Sequence, residues 1–225
     1  MIDVPLVKID GFQRREDVVL AEELGADFLG VILSEGFSRS VAPAAAAALL
    51  EGVTLPTVAV LVNETVVGAI EAASAISASV VQLHGDEPRT VVRELYERDE
   101  WRLWKAVRAR SHEDIVRAVE AYADIVDGFL VEGWREGVYG GGGVELALDP
   151  EQVRSTLPEG LQFVLAGGLT PYNLTEAIAR FRPDVVDVSS GVESSPGGKD
   201  PELLRSFVST AKNVDRAADR RGTDR

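Results

Sequence analysis

The chain has no cysteine, two histidines and four lysines among 225 residues. Without cysteine there is no disulfide, no thiolate metal ligand and no thiol nucleophile. His84 and His112 are too few for a multi-histidine metal site. Lysine is confined to Lys8, Lys105, Lys199 and Lys212, and arginine supplies the remaining basic charge. Against 23 basic residues stand 37 acidic ones, a formal charge of -14. So acidic a surface repels nucleic acid and anionic membranes, and neither is an expected partner. Many acids with few lysines also suggest a halophilic protein, because salt screens self-repulsion. No apolar run reaches the ~18 residues of a membrane helix, and no basic-then-apolar leader opens the chain. A soluble, cytoplasmic protein is expected.

What is present is a recurring pattern. Short apolar runs read Leu6–Ile9 (LVKI), Phe28–Leu33 (FLGVIL), Thr57–Val62 (TVAVLV), Ser79–Leu83 (SVVQL), Leu103–Val107 (LWKAV), Gly128–Val131 (GFLV), Gln162–Ala166 (QFVLA) and Asp184–Val188 (DVVDV). Most are apolar throughout rather than alternating, as strands read when both faces are covered. Between them lie segments with three- and four-residue apolar spacing. One closes on Gly25, another opens at Pro43 and ends before Gly52, and Ser111 is a candidate N-cap. Roughly eight strands alternating with helices predict an α/β fold, a single-domain (β/α)8 TIM barrel over residues 1–212. An open doubly wound sheet is the alternative. Residues 213–225 are charged, lack periodicity and read as a flexible tail.

In such a barrel the chemistry lies at the C-terminal ends of the strands. There the sequence offers Asp10-Gly11, Ser38-Arg39, Asn63, Gln82–Glu87, Glu132, Ala166–Leu169 and Val188–Glu193. Gly167 and Gly168, with Ser189, Ser190 and Gly191, fall after the seventh and eighth strands, where barrel phosphate sites are built. Tight connections alone would also use glycine. Asp10 and Glu132 form a candidate acid–base pair, one to abstract a carbon-bound proton and one to protonate a departing oxygen. Turn and solvated-loop roles remain open for them. Arg39 could hold a carboxylate bidentately. His84 is either a substrate-binding group or a structural histidine bonded to a neighbour such as Glu87. The run Tyr139–Gly143 (YGGGG) reads as a flap over the site. It lacks the context of a dinucleotide fingerprint. Trp101 and Trp104 are expected in the core or an interface, and Trp134 near the site.

The motifs VKIDG, GADFLGVIL, SRSVAP, VLVNE, VVQLHGDE, WKAV, LAGGLTPYNL and VDVSSGVESSPGGKD follow in that order. With these residues the chain, from Val7 to about Ala211, resembles the phosphoribosylanthranilate isomerase family of tryptophan biosynthesis. The resemblance implies a barrel without metal or organic cofactor. The family reaction is an Amadori rearrangement of N-(5-phosphoribosyl)anthranilate. A general acid protonates the ring oxygen, the opened Schiff base loses a proton from the second sugar carbon to a general base, and the enolamine tautomerises to an aminoketose. By resemblance Arg39 binds the anthranilate carboxylate and Asp187 contacts a sugar hydroxyl. Gly168 and Ser189–Gly191 would hold the phosphate.

Two departures touch the chemistry. The family has a cysteine base where this chain has Asp10, and an aspartate acid where it has Glu132. An aspartate in that first-strand position serves the sister barrel isomerase of histidine biosynthesis, so Asp10 is a usable base. The expected partner is a small phosphorylated aminosugar, with the chain a monomer or homodimer. Two alternatives remain at this stage. One is an isomerase of a different phosphorylated aminosugar, and the other a non-catalytic phosphosugar-binding paralogue.

Overall fold

The computed structural model describes residues 4–134 and 145–214. The chain runs β1 (Leu6–Ile9), α1 (Arg15–Glu23), β2 (Phe28–Ile32), α2 (Pro43–Leu49), β3 (Thr57–Leu61), α3 (Val66–Ala75), β4 (Val80–Leu83), α4 (Arg89–Tyr96) and β5 (Arg102–Ala109). It continues through α5 (His112–Tyr122), β6 (Gly128–Gly133), α6 (Pro150–Thr156), β7 (Gln162–Leu165), α7 (Leu174–Phe181) and β8 (Val185–Val188). A 3-10 turn (Ser190–Val192), a small hairpin of β9 (Glu193–Ser195) and β10 (Gly198–Lys199), and α8 (Pro201–Lys212) complete it. The strands β1 to β8 are parallel neighbours in sequence order and close into a barrel, because β8 pairs back onto β1. This is the expected (β/α)8 architecture.

The turn chemistry behaves as the residue types dictate. Gly25 takes φ +87° just past α1, a left-handed position that an L side chain resists. Pro43 opens α2 at its first turn, where its missing N–H costs nothing. Ser111 precedes α5, and its N–H donates to the Asp114 carboxylate, closing a capping box. β5 is longer than its apolar run, since Arg108 and Ala109 stay in register with Glu132 and Gly133 of β6. The hairpin was invisible in the sequence because two or three residues carry no period.

The period of two along each strand decides what lies inside the barrel. Inward positions such as Phe28, Val58, Val80, Trp104, Leu130, Val164 and Val185 fill its interior. Trp104 is wholly buried and meets Phe28 edge-on, with ring centroids 5.2 Å apart. The alternate positions, including Val7, Ile9, Val81, Phe129 and Phe163, pack outward with the helices. Continuing the inward register up the strands leads to Lys8 and Asp10, Gly30, Gln82 and His84, Glu132, and Asp187. The apolar filling gives way to polar side chains at one end, and that end holds the site. Tyr139–Gly143 and all but the first residues of the charged tail lie outside the described residues. No helix among the described residues is long and apolar enough to cross a membrane.

Candidate active site

A cavity of about 330 Å³ opens at the C-terminal end of the barrel strands. Its lining brings together the candidate catalytic, substrate-binding and phosphate-binding residues, while Asn63 and Trp134 lie outside it. Asp10, Arg39, His84, Glu132, Gly167, Gly168, Asp187, Ser189, Ser190 and Gly191 all face it. Ile32, Val60, Val62, Ala166 and Leu169 supply apolar wall between them.

Asp10 follows β1 and is 7% exposed. Its Oδ2 is 2.8 Å from Lys8 Nζ, and the same ammonium donates to Asp187 Oδ1 at 3.0 Å. Lys8 and Asp187 are register partners across β1 and β8, so the pairing is built into the sheet. Asp10 Oδ1 is sealed and has no hydrogen-bond partner among the described residues. It lies against Gly30, where an added Cβ would meet it at 1.6 Å. Glycine at this point of β2 therefore makes the notch that admits the carboxylate. Burial, and then repulsion from Asp10, pushes the Asp187 carboxyl up to about 7 against the pull of Lys8. Burial alone would push Lys8 down, yet the two carboxylates hold it above the ordinary lysine value.

Glu132 projects inward from β6 and is 6% exposed. His84 Nε2 lies 2.9 Å from Glu132 Oε1, and Gln82 Nε2 lies 2.8 Å from His84 Nδ1. With the Gln82 amide donating to Nδ1, the imidazole proton sits on Nε2 and is given to Glu132. The structural partners expected for His84 need correcting here. Among the described residues its ring nitrogens are bonded to Gln82 and Glu132 rather than to Glu87. Instead Glu87 accepts from the backbone N–H groups of Asn63 and Gly85 and pairs with buried Lys105 at 2.9 Å. Lys105 Nζ also donates to the carbonyls of Leu83 and Gly85, so this pair ties the loops after β3 and β4.

Arg39 reaches the cavity from the loop after β2, but its guanidinium is already engaged. Nε donates to Glu193 Oε1 at 2.8 Å and Nη2 to Glu193 Oε2 at 2.7 Å. Glu193 is shared with Lys199, whose Nζ also donates to the carbonyls of Asp10 and Ser189, at 2.5 and 3.1 Å. Three acceptors satisfy the three ammonium protons, which is how a wholly buried lysine is tolerated. Lys199 thereby joins the ends of β1 and β8.

The glycine turns after β7 and β8 abut. Gly167 and Gly168 take φ +82° and +64°. A Cβ on Gly191 would come within 1.8 Å of the Leu169 carbonyl oxygen, so only glycine allows the two loops this contact. Ser190 lines the cavity mouth beside them. Ser189 Oγ is buried, close to Gly11, and has no hydrogen-bond partner among the described residues.

Sequence reasoning missed Lys8, Gly30 and Lys199, and named Gln82 and Glu193 at strand ends without giving them a role. The first carried a signal. A lysine inside an apolar strand covered on both faces must be paired.

The N-(5'phosphoribosyl)anthranilate (PRA) isomerase family model matches residues 7–210. The N-(5'-phosphoribosyl)anthranilate isomerase of Trichlorobacter lovleyi is 38% identical over 213 residues, covering 92% of this chain and 98% of the relative. That of Myxococcus xanthus is 40% identical over 212 residues, covering 92% and 96%. Among solved structures, phosphoribosyl anthranilate isomerase from Thermotoga maritima superposes with a TM-score of 0.81 at 32% identity, covering 93% of this chain and 99% of that one. A second, solved with reduced 1-(o-carboxyphenylamino)-1-deoxyribulose 5-phosphate, has a TM-score of 0.79 at 31% identity over the same shares. The family model matches residues 7–210 and the relatives cover more than nine-tenths of the chain, so the chain belongs to the N-(5'-phosphoribosyl)anthranilate isomerase family.

Proposed function

We propose that this chain catalyses the family rearrangement of N-(5-phosphoribosyl)anthranilate with a pair of carboxylates, Asp10 as base and Glu132 as acid. The observation that carries this reading is that both acids line one cavity with Arg39 and the glycine loops after β7 and β8. The chain is an isomerase of tryptophan biosynthesis by its family.

His84 occupies Glu132 Oε1, which leaves Oε2 to carry the proton given to the furanose ring oxygen. The C1–O bond breaks, the anilino nitrogen supplies its electron pair, and a Schiff base forms. Asp10 then takes the proton from C2, and the electrons of that C–H bond form the enolamine. Loss of the O2 proton and protonation at C1 complete the aminoketose. The net result is one proton lost by Glu132 and one gained by Asp10, so a proton must pass back before the next turnover. Such acid–base steps contribute about 10²- to 10⁴-fold each.

Glu132 is one methylene longer than the family's aspartate, and the bond from His84 fixes where the extra reach ends. The phosphate is assigned to the turns of Gly167–Gly168 and Ser189–Gly191, and the anthranilate carboxylate to Arg39. Asp187 is assigned to the sugar, with Lys8 at its other side. The acidic, lysine-poor surface is read as adaptation to a salt-rich cytoplasm. Support comes from the lysines themselves, since Lys8, Lys105 and Lys199 are all buried.

The test is turnover. Purified protein should convert phosphoribosylanthranilate. Asp10→Asn should lower kcat by about 10²- to 10⁴-fold while still binding the reduced product analogue. An Asp10→Asn enzyme turning over at the wild-type rate would remove Asp10 as the base.

A further inference from the structure

Among the described residues Lys8 is the largest charged side chain that is wholly buried, and nothing in the proposed chemistry uses it. By the period of two it points into the barrel on the same face of β1 as Asp10. Its Nζ lies between two carboxylates, 2.8 Å from Asp10 Oδ2 and 3.0 Å from Asp187 Oδ1. Gly30 on the adjacent strand makes room for this group, since a Cβ there would come within 2.8 Å of Asp10 Cγ and 3.3 Å of Lys8 Cε.

We propose that Lys8 is a positioning residue for proton transfer, pairing with one oxygen of Asp10 and tying it to Asp187 as a three-membered cluster beneath the substrate. The proposal rests on the reading of Asp10 as the base. A desolvated carboxylate without a cation would bind its proton in the resting state and be useless for abstraction. Lys8 removes that obstacle, because it is itself kept charged by its two partners. An unshared carboxylate would make the cation too strong an opponent of proton uptake. Asp187 moderates it, since the ammonium is divided between two acceptors. The groups that face this cluster from other elements are His84, Arg39 and Lys199, and the two cations act on Asp10 through charge. They border Lys8's partners but none contacts its ammonium among the described residues.

The experiment compares Lys8→Met with wild type and with Asp10→Asn. Steady-state kinetics from pH 5 to 9 and binding of the reduced product analogue are read for each. Lys8→Met should lose about hundredfold in kcat at pH 7, keep its KM within a few-fold, and move the acid limb of kcat/KM to higher pH. A rate loss matched by loss of folded protein, with the limb unmoved, overturns the proposal. A variant with a wild-type profile overturns it equally. If Asp10→Asn stays active, the base assignment fails instead, so the two failures are distinguishable. Should Lys8→Met not fold, wild-type protein carrying labelled lysine decides the question. With only four lysines the Lys8 Nζ resonance can be resolved. It should remain that of a charged ammonium through pH 9, shift as Asp187 titrates at about 7, and respond to the analogue. A neutral amine, or a resonance indifferent to both, overturns the proposal.

Discussion

Arg39 and Glu193 meet edge to edge, with both carboxylate oxygens taken by Nε and Nη2 at 2.8 and 2.7 Å. The arginine assigned to the substrate carboxylate is thus held by a second carboxylate from the hairpin after β8. Only the edge carrying Nη1, which lies 3.3 Å from Ser38 Oγ, remains for a ligand. Glu193 in turn is locked by Lys199. The guanidinium is therefore aimed before substrate arrives, and little rotamer freedom is left to lose on binding.

Glu193→Gln should accordingly weaken substrate capture more than chemistry. One charge-assisted hydrogen bond to Arg39 is lost and the planar fit is spoiled. A loss of about 1.4 kcal/mol corresponds to a tenfold rise in KM, with kcat little changed. Arg39→Lys should raise KM further, because a point charge cannot replace the fork. Steady-state kinetics on both variants checks this. Equal losses in kcat would mean that the hairpin shapes the catalytic pair rather than the binding arginine.

Gly30→Ala should damage the site without replacing any proposed catalytic side chain. The new methyl would need the space of Asp10 Oδ1, at 1.6 Å. Either Asp10 turns away from Lys8, or β2 shifts. Overpacking of this kind costs about 1–3 kcal/mol. Urea denaturation should register that loss, and kcat should fall with it while product-analogue binding persists. An alanine variant with full activity would show that Asp10 works from a different rotamer.

The barrel was legible because its signal is repeated. Each strand, buried on both faces, announces itself as a continuous apolar run, and each helix by its own spacing and cap. Asp10 and Glu132 were legible for a related reason, since an acid at the end of such a run has few structural excuses. The partners of those acids were not legible. Lys8 and Asp187 meet through β1–β8 closure, 179 residues apart in sequence, and His84 meets Glu132 across 48. Composition along one strand cannot say which inward positions share a layer. Arg39 illustrates the same gap. Its type fitted carboxylate recognition, but its occupied edge depends on a hairpin too short to have a pattern.

The raised Asp187 carboxyl makes a claim about stability as well as function. Its value near 7 in the folded chain compares with about 3.9 unfolded. The folded state therefore holds this proton more tightly. That contribution is complete below about pH 4 and is lost as pH rises through about 7. Asp187→Asn cannot ionise and escapes the loss. Denaturation midpoints of the two proteins at pH 5 and pH 8 should show the difference moving in favour of the variant at the higher pH. Lys8 stays charged across that window and does not obscure the comparison. A difference independent of pH would mean that Asp187 is ionised throughout.

The four lysines carry the last prediction. Lys8, Lys105 and Lys199 are buried among acceptors that a guanidinium's planar fork would not match, and Lys212 pairs with Asp27. Lysine thus survives where a compact ammonium is needed inside the fold, while the outer surface relies on arginine. With a charge of -14, self-repulsion opposes the compact state at low salt. Raising KCl from about 0.1 M to about 1 M shortens the screening length from ~10 Å to ~3 Å. The thermal midpoint should climb over that interval and flatten beyond it, because screening is then nearly complete. Buried pairs such as Lys105–Glu87 contribute little to the trend, being shielded from the ions. A midpoint unchanged between 0.1 M and 1 M KCl would contradict the reading of this surface as salt-adapted.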